Sequence, residues 1–372
     1  MAHVVKVKRN IDMLKGKQMS NTSNPIRVGI VGAGANTRAK HIPGLQAIDN
    51  VEIVSVVNKH PESSERVAQE FNIPTIYDSW EELVNAPDSD AIVIGTWPYL
   101  HYPVTLAALK AGKHVMCEAR MAMNADEARR MHDAAKDHPE LVTQVVPSPF
   151  TLKVDKTVKE LLQNGYVGDL LAVEIHTKSG QFLDRDAALN WRQDADLSGM
   201  NIMTLGIWYE SLLRWIGGAA QVRAHGNVFV SRRRDPETGV IKKVNIPDHL
   251  VVVADMAGGA QTTFLLSQIT GGVKANNIYL FGSYGTLHFS DGVLYGFERG
   301  DDKFAEISIP PEKAGGWRVE EEFIGAIRGT EKITHTTFED GVKYMEFTEA
   351  VNQSMIQEKP ISLRDRDEKG AV

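Results

Sequence analysis

A short glycine-containing turn, Gly32-Ala33-Gly34-Ala35-Asn36-Thr37, has the residue types and the spacing to bind a pyrophosphate group. The first glycine permits a tight turn, and the second lets backbone N–H groups approach phosphate oxygens at the start of a following helix. A threonine stands where the usual pattern has its third glycine, which makes the motif weak when it is taken alone. We predict dinucleotide binding here, by Gly32, Gly34, Ala35, Asn36 and Thr37.

The residues after the second predicted strand, Asn58-Lys59-His60, bear on the choice of dinucleotide. Proteins that bind NAD usually have an acidic residue at this corner, which binds the ribose hydroxyls. Without a carboxylate nothing repels a 2′-phosphate and Lys59 could pair with one, whereas Asn58 could hydrogen-bond an unphosphorylated ribose. The corner therefore favours NADP slightly over NAD, and a plain surface lysine is the competing interpretation of Lys59.

Two further side chains have the chemistry that a reaction site needs. His101, in a loop after a predicted strand, titrates nearest neutral pH and is suited to proton transfer. The guanidinium of Arg120 stays charged, so it can orient a carboxylate or stabilise an oxyanion but is a poor proton donor. The sequence has no His, Asp or Glu cluster with convincing metal-ligand spacing, and we predict no metal site.

The chain between Ile26 and about Gln144 positions these residues by alternating strand-like apolar runs with helical segments. Such an alternation is typical of a doubly wound parallel sheet, the Rossmann fold, which places its ligands at the carboxyl ends of the strands. Near Pro147–Phe150 the pattern changes to alternating apolar and polar residues with glycine-containing turns, which is typical of an open antiparallel sheet. The predicted fold is an N-terminal α/β Rossmann domain followed by an α+β domain with an open, largely antiparallel sheet.

Four segments follow from these patterns. We expect residues 1–24 to be an arm, 25–147 a dinucleotide-binding domain, 148–363 a sheet domain for substrate binding and oligomerisation, and 364–372 a tail. The first eighteen residues are rich in Lys and Arg and do not lead into the first strand. We therefore expect that Met19 is the true start or that the preceding arm is disordered.

The composition excludes several classes of protein. Hydrophobic residues make up 42% of the chain and charged residues 24%, as in ordinary globular proteins, and 372 residues suffice for two domains. The net charge of −7 gives no general attraction to nucleic acid or anionic membranes. The apolar runs are too short to span a bilayer and no signal sequence opens the chain, so we expect a cytoplasmic protein. The single cysteine, Cys117, excludes an internal disulfide and a cysteine-based metal cage.

Three segments resemble the Gfo/Idh/MocA family, which is named for glucose-fructose oxidoreductase, inositol dehydrogenase and a rhizopine-catabolism protein. They are Thr96-Trp97-Pro98-Tyr99-Leu100-His101, the block AALKAGKHVMCEAR, and Trp191-Arg192 ahead of Ser198-Gly199-Met200. The resemblance covers roughly Ile26 to Gln357, and A-G-K-H-V-x-C-E is its most specific part.

This resemblance implies NAD or NADP as the cofactor, a sugar, polyol or related small molecule as the substrate, and a C-terminal sheet that forms a homodimer or homotetramer. It implies that Glu118 binds the ribose of the cofactor. The other cofactor contacts that it implies are Thr96, Trp97, Pro98, His101, Trp191 and Arg192.

The chain departs from the family at the residues that usually do acid–base chemistry. The E-K-P motif of the family reads Glu118-Ala119-Arg120 here, and alanine cannot replace the lysine. The D-x-G-x-H motif aligns with the run from Thr204 to Trp208, so its aspartate and histidine are absent too. The standard dehydrogenase mechanism cannot be carried over without its lysine, aspartate and histidine.

Neighbouring residues are the candidates to replace them. We expect Arg120 to anchor the substrate, and one of Tyr209, Glu210 or His101 to transfer the proton. The alternative for Tyr209 and Glu210 is a core tyrosine and a paired glutamate on an apolar helix, and His101 could instead shape the nicotinamide pocket. The predicted substrate contacts are Trp208, which could also simply pack, and His176 and Lys178 on a strand-to-loop segment.

Three functions remain open from the sequence. The first is an oxidoreductase that moves a hydride between the nicotinamide and a hydroxyl or oxo carbon. The second is a redox-neutral, NAD-dependent glycoside hydrolase or lyase, and the third is a non-catalytic dinucleotide-binding regulator. In each case the partner is a small molecule, with no role for a membrane. The basic run Arg232–Arg234 is predicted to lie at a solvated hairpin tip and not at a nucleic-acid site.

Overall fold

A computed structural model describes residues 24–363 of the chain. The tail over 364–372, the alternative start at Met19 and all but the last residue of the predicted arm lie outside the described residues. Within 24–363 we find no helix that combines the length and the apolarity needed to cross a bilayer.

Six parallel strands form the first sheet, in the spatial order β3-β2-β1-β4-β5-β6. The strands are β1 (Ile26–Val31), β2 (Val51–Val57), β3 (Thr75–Ile76), β4 (Ala91–Ile94), β5 (His114–Cys117) and β6 (Thr143–Val145). The strand order reverses direction between β1 and β4, and a Rossmann sheet binds its ligand above that point. The predicted α/β domain is confirmed.

Helical segments cover both faces of this sheet. They are a π-helical turn (Thr37–His41), α1 (Ile42–Gln46), α2 (Pro61–Phe71), α3 (Trp80–Asn85), a 3-10 turn (Pro98–Leu100), α4 (His101–Lys110) and α5 (Ala125–Asp137). Every residue of β4 is buried, as expected for a strand with helices on both sides.

The second sheet has nine strands in the order β16-β15-β14-β13-β7-β12-β11-β8-β17. They are β7 (Leu170–Lys178), β8 (Ala219–Asn227), β11 (His249–Met256), β12 (Gln261–Ser267), β13 (Ala275–Gly282), β14 (Gly285–Ser290), β15 (Val293–Glu298), β16 (Ala305–Glu306) and β17 (Ile361–Ser362). The pairing is antiparallel except between β7 and β12. The prediction of a largely antiparallel sheet is confirmed.

One face of the nine-stranded sheet is covered and the other is open. Alternate residues of β7, such as Val173 and Ile175, are buried against the helical layer, and their neighbours are only half-buried. The helices of this part are α6 (Asp155–Gln163), a 3-10 turn (Trp191–Gln193), α7 (Ala195–Ser198), α8 (Leu205–Ile216), α9 (Val319–Ile327) and α10 (Phe338–Gln357).

Two segments late in the chain return to the first sheet. Helix α9 packs its buried Phe323 into the same apolar cluster as Val28 of β1 and Leu45 of α1. A separate ribbon, β9 (Arg232–Arg234) with β10 (Ile241–Lys243), extends toward the corner after β2. Both segments therefore bring side chains from the second half of the chain to the edge of the Rossmann sheet.

Candidate active site

A groove follows the carboxyl ends of the parallel strands and contains two adjoining cavities. The outer cavity, of about 510 Å³, is lined by residues that include Asn58, Lys59, Trp80, Tyr99 and Glu237. The inner cavity, of about 360 Å³, is lined by residues that include Glu118, Arg120, Phe150, Trp191, Arg192 and Thr204. Gly34, Gly95, Thr96 and Trp97 line both. The groove therefore runs across the switch point of the sheet, past the glycine turn.

The glycine turn exposes bare backbone to this groove. Gly32 has a φ of +85°, in the left-handed region that favours glycine, and a Cβ atom there would lie 2.8 Å from the backbone nitrogen of Thr96. Gly34 is exposed, and a Cβ atom there would meet only the carbonyl oxygen of Gly95, at 3.4 Å. Backbone N–H groups ahead of a helical segment fit a pyrophosphate, so this cradle suits a dinucleotide.

Asn58 and Lys59 form the corner of the outer cavity. The side-chain oxygen of Asn58 accepts a hydrogen bond of 2.6 Å from the Ala33 N–H, so this residue supports the glycine turn. The ammonium of Lys59 lies 2.6 and 2.8 Å from the two carboxylate oxygens of Glu237 in the turn between β9 and β10. The corner thus has a carboxylate after all, supplied from 178 residues away along the chain.

The loop after β4 forms the wall between the two cavities. The ring of Trp97 stacks on that of Trp191, with 6.0 Å between centroids. His101 is buried, with Nδ1 2.9 Å from the carbonyl oxygen of Arg120 and Nε2 3.0 Å from that of Thr96. Burial lowers the pKa of His101. The ring therefore joins two loops and does not itself line the inner cavity.

A buried acid–histidine cluster backs the inner cavity. His41 is fully buried, with Nε2 3.0 Å from a carboxylate oxygen of Glu118 and Nδ1 2.5 Å from one of Glu320 in α9. Burial by itself lowers the pKa of His41, but the two carboxylates raise it overall to about 9. Burial raises the pKa of Glu118, yet hydrogen bonds from His41, Asn36 and the Ala119 N–H lower it overall. The cavity therefore presents an ionised Glu118 carboxylate backed by a protonated imidazole.

Two arginines lie on the other side of the inner cavity, against one tryptophan ring. The guanidinium carbons of Arg192 and Arg120 lie 4.2 and 5.6 Å from the centroid of the Trp191 ring. Arg120 is 2% exposed, and its Nε and Nη2 atoms are buried with no hydrogen-bond partner among the described residues. Burial lowers the pKa of the Arg120 guanidinium, and the charge of Arg192 lowers it further.

The structure does not bring the predicted residues of helix α8 to either cavity. The hydroxyl of Tyr209 accepts a hydrogen bond of 2.8 Å from the Ala219 N–H, and its ring stacks on Phe347. Glu210 is buried and accepts hydrogen bonds from Ser148, Arg214 and Thr336. Trp208 is buried and its ring stacks on Phe150, which lines the inner cavity. The face of the helix that lines the cavity carries Thr204 and Ile207, three residues apart.

His176 and Lys178 also lie apart from both cavities. They occupy the half-exposed face of β7, where Nε2 of His176 lies 3.5 Å from a carboxylate oxygen of Glu174. Because side chains alternate along a strand, these residues face away from the helical layer that covers Ile175. Within 24–363 no group of three or more His, Cys, Asp or Glu side chains could hold a metal ion.

Among the residues that sequence reasoning missed, three form ion pairs at or behind the groove: His41, Glu237 and Glu320. No local pattern indicates the two acids, because they reach Lys59 and His41 from 178 and 279 residues away. His41 follows the glycine turn and could have been suspected from that position alone. Arg120, Glu118, Trp97, Trp191 and Arg192, predicted from separate segments, do meet at the inner cavity.

Two family models match the chain. The model described as oxidoreductase family, NAD-binding Rossmann fold, matches residues 26–145, and the GFO/IDH/MocA C-terminal domain matches residues 156–288. Among curated relatives, the trans-1,2-dihydrobenzene-1,2-diol dehydrogenase of Mus musculus is 30% identical over 70% of this chain and 73% of its own length. An uncharacterised oxidoreductase of Synechocystis is 25% identical over 72% of each chain.

Solved structures share the whole fold. An oxidoreductase domain protein from Kribbella flavida has a TM-score of 0.79 at 22% identity, covering 92% of this chain and 100% of that one. A levoglucosan dehydrogenase in complex with NADH and L-sorbose has a TM-score of 0.80 at 20% identity, covering 91% of this chain and 98% of that one. At such identities these structures establish the fold alone.

Proposed function

The chain belongs to the Gfo/Idh/MocA family of oxidoreductases, and from this premise we propose that it transfers a hydride between a nicotinamide dinucleotide and a hydroxyl or oxo carbon of a sugar-like or other small polar substrate. The observation that carries the proposal is the continuous groove, which leads from the Asn58 corner past the bare glycine turn to the cavity with Glu118 and Arg120.

The described residues fit such a cofactor along the whole groove. The turn from Gly32 to Thr37 would hold the pyrophosphate, the Asn58 corner one ribose, and Glu118 the other. Thr96, Trp97, Pro98, Trp191 and Arg192 would enclose the nicotinamide end. When bound, the nicotinamide supplies or accepts the hydride, and the protein orients the reactants and donates or accepts the proton.

We propose that the Glu118–His41 pair transfers the proton of the reaction. Tyr209, Glu210 and His101 are held in hydrogen bonds behind the walls of the inner cavity, and Ala119 has no functional side chain. Glu118 does line the cavity, and its Oε1 lies 3.0 Å from Nε2 of a protonated His41. A proton on Nε2 can therefore pass to the carboxylate that faces the substrate, a path of the kind used in general acid–base catalysis.

We propose NAD as the preferred cofactor, because of the Lys59–Glu237 ion pair. The expectation of NADP assumed a corner without an acid and a lysine free to pair with a 2′-phosphate. Glu237 compensates the charge of Lys59 and lines the cavity where the ribose would lie, so that its carboxylate would repel a 2′-phosphate.

Glu237→Gln is expected to shift the cofactor preference toward NADP by about tenfold. The variant removes the repulsion and frees Lys59 to bind the phosphate. Dissociation constants of NADH and NADPH, from titrations followed by nicotinamide fluorescence, give the ratio. Glu65→Gln removes the same charge from an exposed position of α2 and is the control. An unchanged ratio in Glu237→Gln would show that the pair does not set the preference.

The proposed activity is tested by nicotinamide absorbance with a panel of sugars, polyols and their carbonyl counterparts. Net oxidation or reduction of the cofactor with any of them supports the oxidoreductase. Chemical change of a substrate without net change in the cofactor would favour the redox-neutral hydrolase or lyase, which the alanine at position 119 keeps open. Tight NADH binding with no chemistry on any compound would favour a regulator.

We propose that the open face of the nine-stranded sheet forms a homodimer or homotetramer. On this face Tyr279 stacks on His288 and Phe281, with centroids 4.0 and 5.5 Å apart. Tyr279→Asp is therefore expected to convert the oligomer to monomers, as measured by light scattering after gel filtration. The same substitution at Tyr284, in the turn between β13 and β14, should leave the oligomer intact. A monomeric wild-type protein would refute the proposal.

A further inference from the structure

Neither arginine of the inner cavity forms an ion pair with an acid in the described part of the chain. Nε and Nη2 of Arg120 are buried and donate no hydrogen bond, and the acid whose charge acts on both guanidinium groups is Glu118. Burial lowers the pKa of both guanidinium groups. A buried charge without a partner is costly for a folded protein, so this arrangement calls for an anion from outside the chain.

Glu118 does not fully neutralise the two arginines, because its charge is shared with His41. Oε1 accepts from Asn36 and lies 3.0 Å from the His41 ring, and Oε2 accepts from the Ala119 N–H at 3.1 Å. The carboxylate charge of Glu320 is likewise directed at His41. Three cations (Arg120, Arg192 and His41) and two carboxylates lie in or behind the cavity, which leaves one positive charge uncompensated.

Arg233 shows what a structural buried arginine looks like in this protein. Like Arg120 it is 2% exposed and its Nε has no hydrogen-bond partner among the described residues, but its two terminal nitrogens donate hydrogen bonds of 2.6 to 3.0 Å to the carbonyl oxygens of Phe182, Asp184 and Ala187. These bonds fasten the β9–β10 ribbon to the loop after β7. The contrast indicates that the donors of Arg120 are kept for a ligand.

We propose that the substrate carries a carboxylate, which the guanidinium groups of Arg120 and Arg192 bind beside the reacting carbon. The planar fork of arginine matches the two oxygens of a carboxylate, and the Trp191 ring supports both guanidinium groups. The substrate class is then a hydroxy or oxo acid of sugar-like size, such as an aldonate or a uronate. This inference rests on the proposed function of the same cavity.

Anionic oxygens could also come from the phosphates of the cofactor. We assign the subsite to the substrate because the glycine turn already offers a pyrophosphate cradle. Substitution of Arg120 distinguishes the two sources. If Arg120 binds the cofactor, the variant loses affinity for NADH. If Arg120 binds the substrate, the variant loses affinity only for the carboxylate ligand.

The test compares Arg120→Met with wild type and with Arg233→Met. Without ligands, Arg120→Met is expected to raise Tm by about 2 °C or more, because an unpaired buried charge is removed, whereas Arg233→Met should lower it. Glucuronate and gluconate should raise Tm of the wild-type protein loaded with NADH, and glucose and sorbitol should not. The Tm shift caused by the two carboxylates should disappear in Arg120→Met, with the NADH dissociation constant within about twofold of wild type.

Each alternative outcome overturns the inference. A fall in the Tm of ligand-free Arg120→Met comparable to that of Arg233→Met would make Arg120 structural. A loss of NADH affinity of about tenfold or more would assign it to the cofactor. Equal Tm shifts with the acids and the neutral sugars, or no Tm shift with either acid, would show that the site does not recognise a carboxylate. Failure of wild type to bind NADH would instead refute the proposed function, while the ligand-free Tm comparison would still report on Arg120.

Discussion

Replacement of Gly34 by valine is expected to abolish NADH binding and to leave the fold intact. The backbone of Gly34 does not have a positive φ, and a Cβ atom there meets only the Gly95 carbonyl oxygen at ordinary contact distance, so the folded chain tolerates the side chain. The branched side chain would instead fill the groove where the pyrophosphate must approach the backbone. Isothermal titration with NADH and a thermal melt of the same sample measure both parts of the prediction.

The control is Gly258→Val, in the turn between β11 and β12. A Cβ atom at Gly258 meets nothing within 4 Å, so the same substitution is made at an open glycine far from the groove. It should leave the NADH dissociation constant unchanged. If Gly34→Val binds NADH as tightly as wild type does, the glycine turn is not the phosphate site.

His41→Gln is expected to lower the free energy of unfolding at neutral pH by about 3 to 5 kcal/mol, because it leaves the buried carboxylate of Glu320 and the partly buried carboxylate of Glu118 without their shared cation. The difference from wild type should itself depend on pH. The pKa of His41 is raised from 6.5 in the unfolded chain to about 9 in the folded one. The stabilisation is therefore complete below pH 6.5 and is lost as pH rises through about 9, a change of about 3 kcal/mol.

Urea unfolding of wild type and variant at intervals from about pH 6 to about pH 10 measures this difference. Groups that do not contact His41 titrate alike in both proteins and cancel in this difference. His249→Gln is the control, because this half-buried histidine contacts the Ser267 hydroxyl and not a carboxylate. Curves for His41→Gln and wild type that stay parallel across the whole range would contradict the raised pKa.

The fold could be predicted from the sequence because its signals are local and repeated. Short, mostly apolar strands such as Ala91–Ile94 alternate with helical segments, and this alternation predicts a parallel sheet without knowledge of any distant contact. The parallel pairing of β7 with β12 was not predicted, because both strands show the same alternation as their antiparallel neighbours.

The site was predictable only where a residue is placed by its own strand or turn. Glu118 and Trp97 follow the ends of β5 and β4, and the topology of the sheet brings such ends together. The sequence left open whether Tyr209 and Glu210 face the cavity or the core, because the direction of a side chain on a helix depends on which face of the helix the core covers. In this helix, the face that carries Tyr209 and Glu210 packs against the core and Ser148.

The remaining features of the site could not be predicted because they depend on contacts between segments that are distant along the chain. The basic run Arg232–Arg234 was expected to be a solvated hairpin tip, yet Arg233 is buried and fastens the ribbon that carries Glu237 to Lys59. Whether a charged residue in a hairpin is solvated or buried depends on the loop packed against it. Nothing in the run itself encodes that loop.

The most direct test of the central claim follows the hydride itself. The protein is incubated with NADH that carries deuterium in place of both hydrogens at the nicotinamide C4 and with oxo acids and oxo sugars, and the products are analysed by mass spectrometry. If the protein transfers hydride to its substrate, deuterium appears on a carbon of the product and an equal amount of NAD forms. Product that forms without net loss of NADH, or label that stays on the cofactor with every compound, would contradict an oxidoreductase that transfers hydride to its substrate.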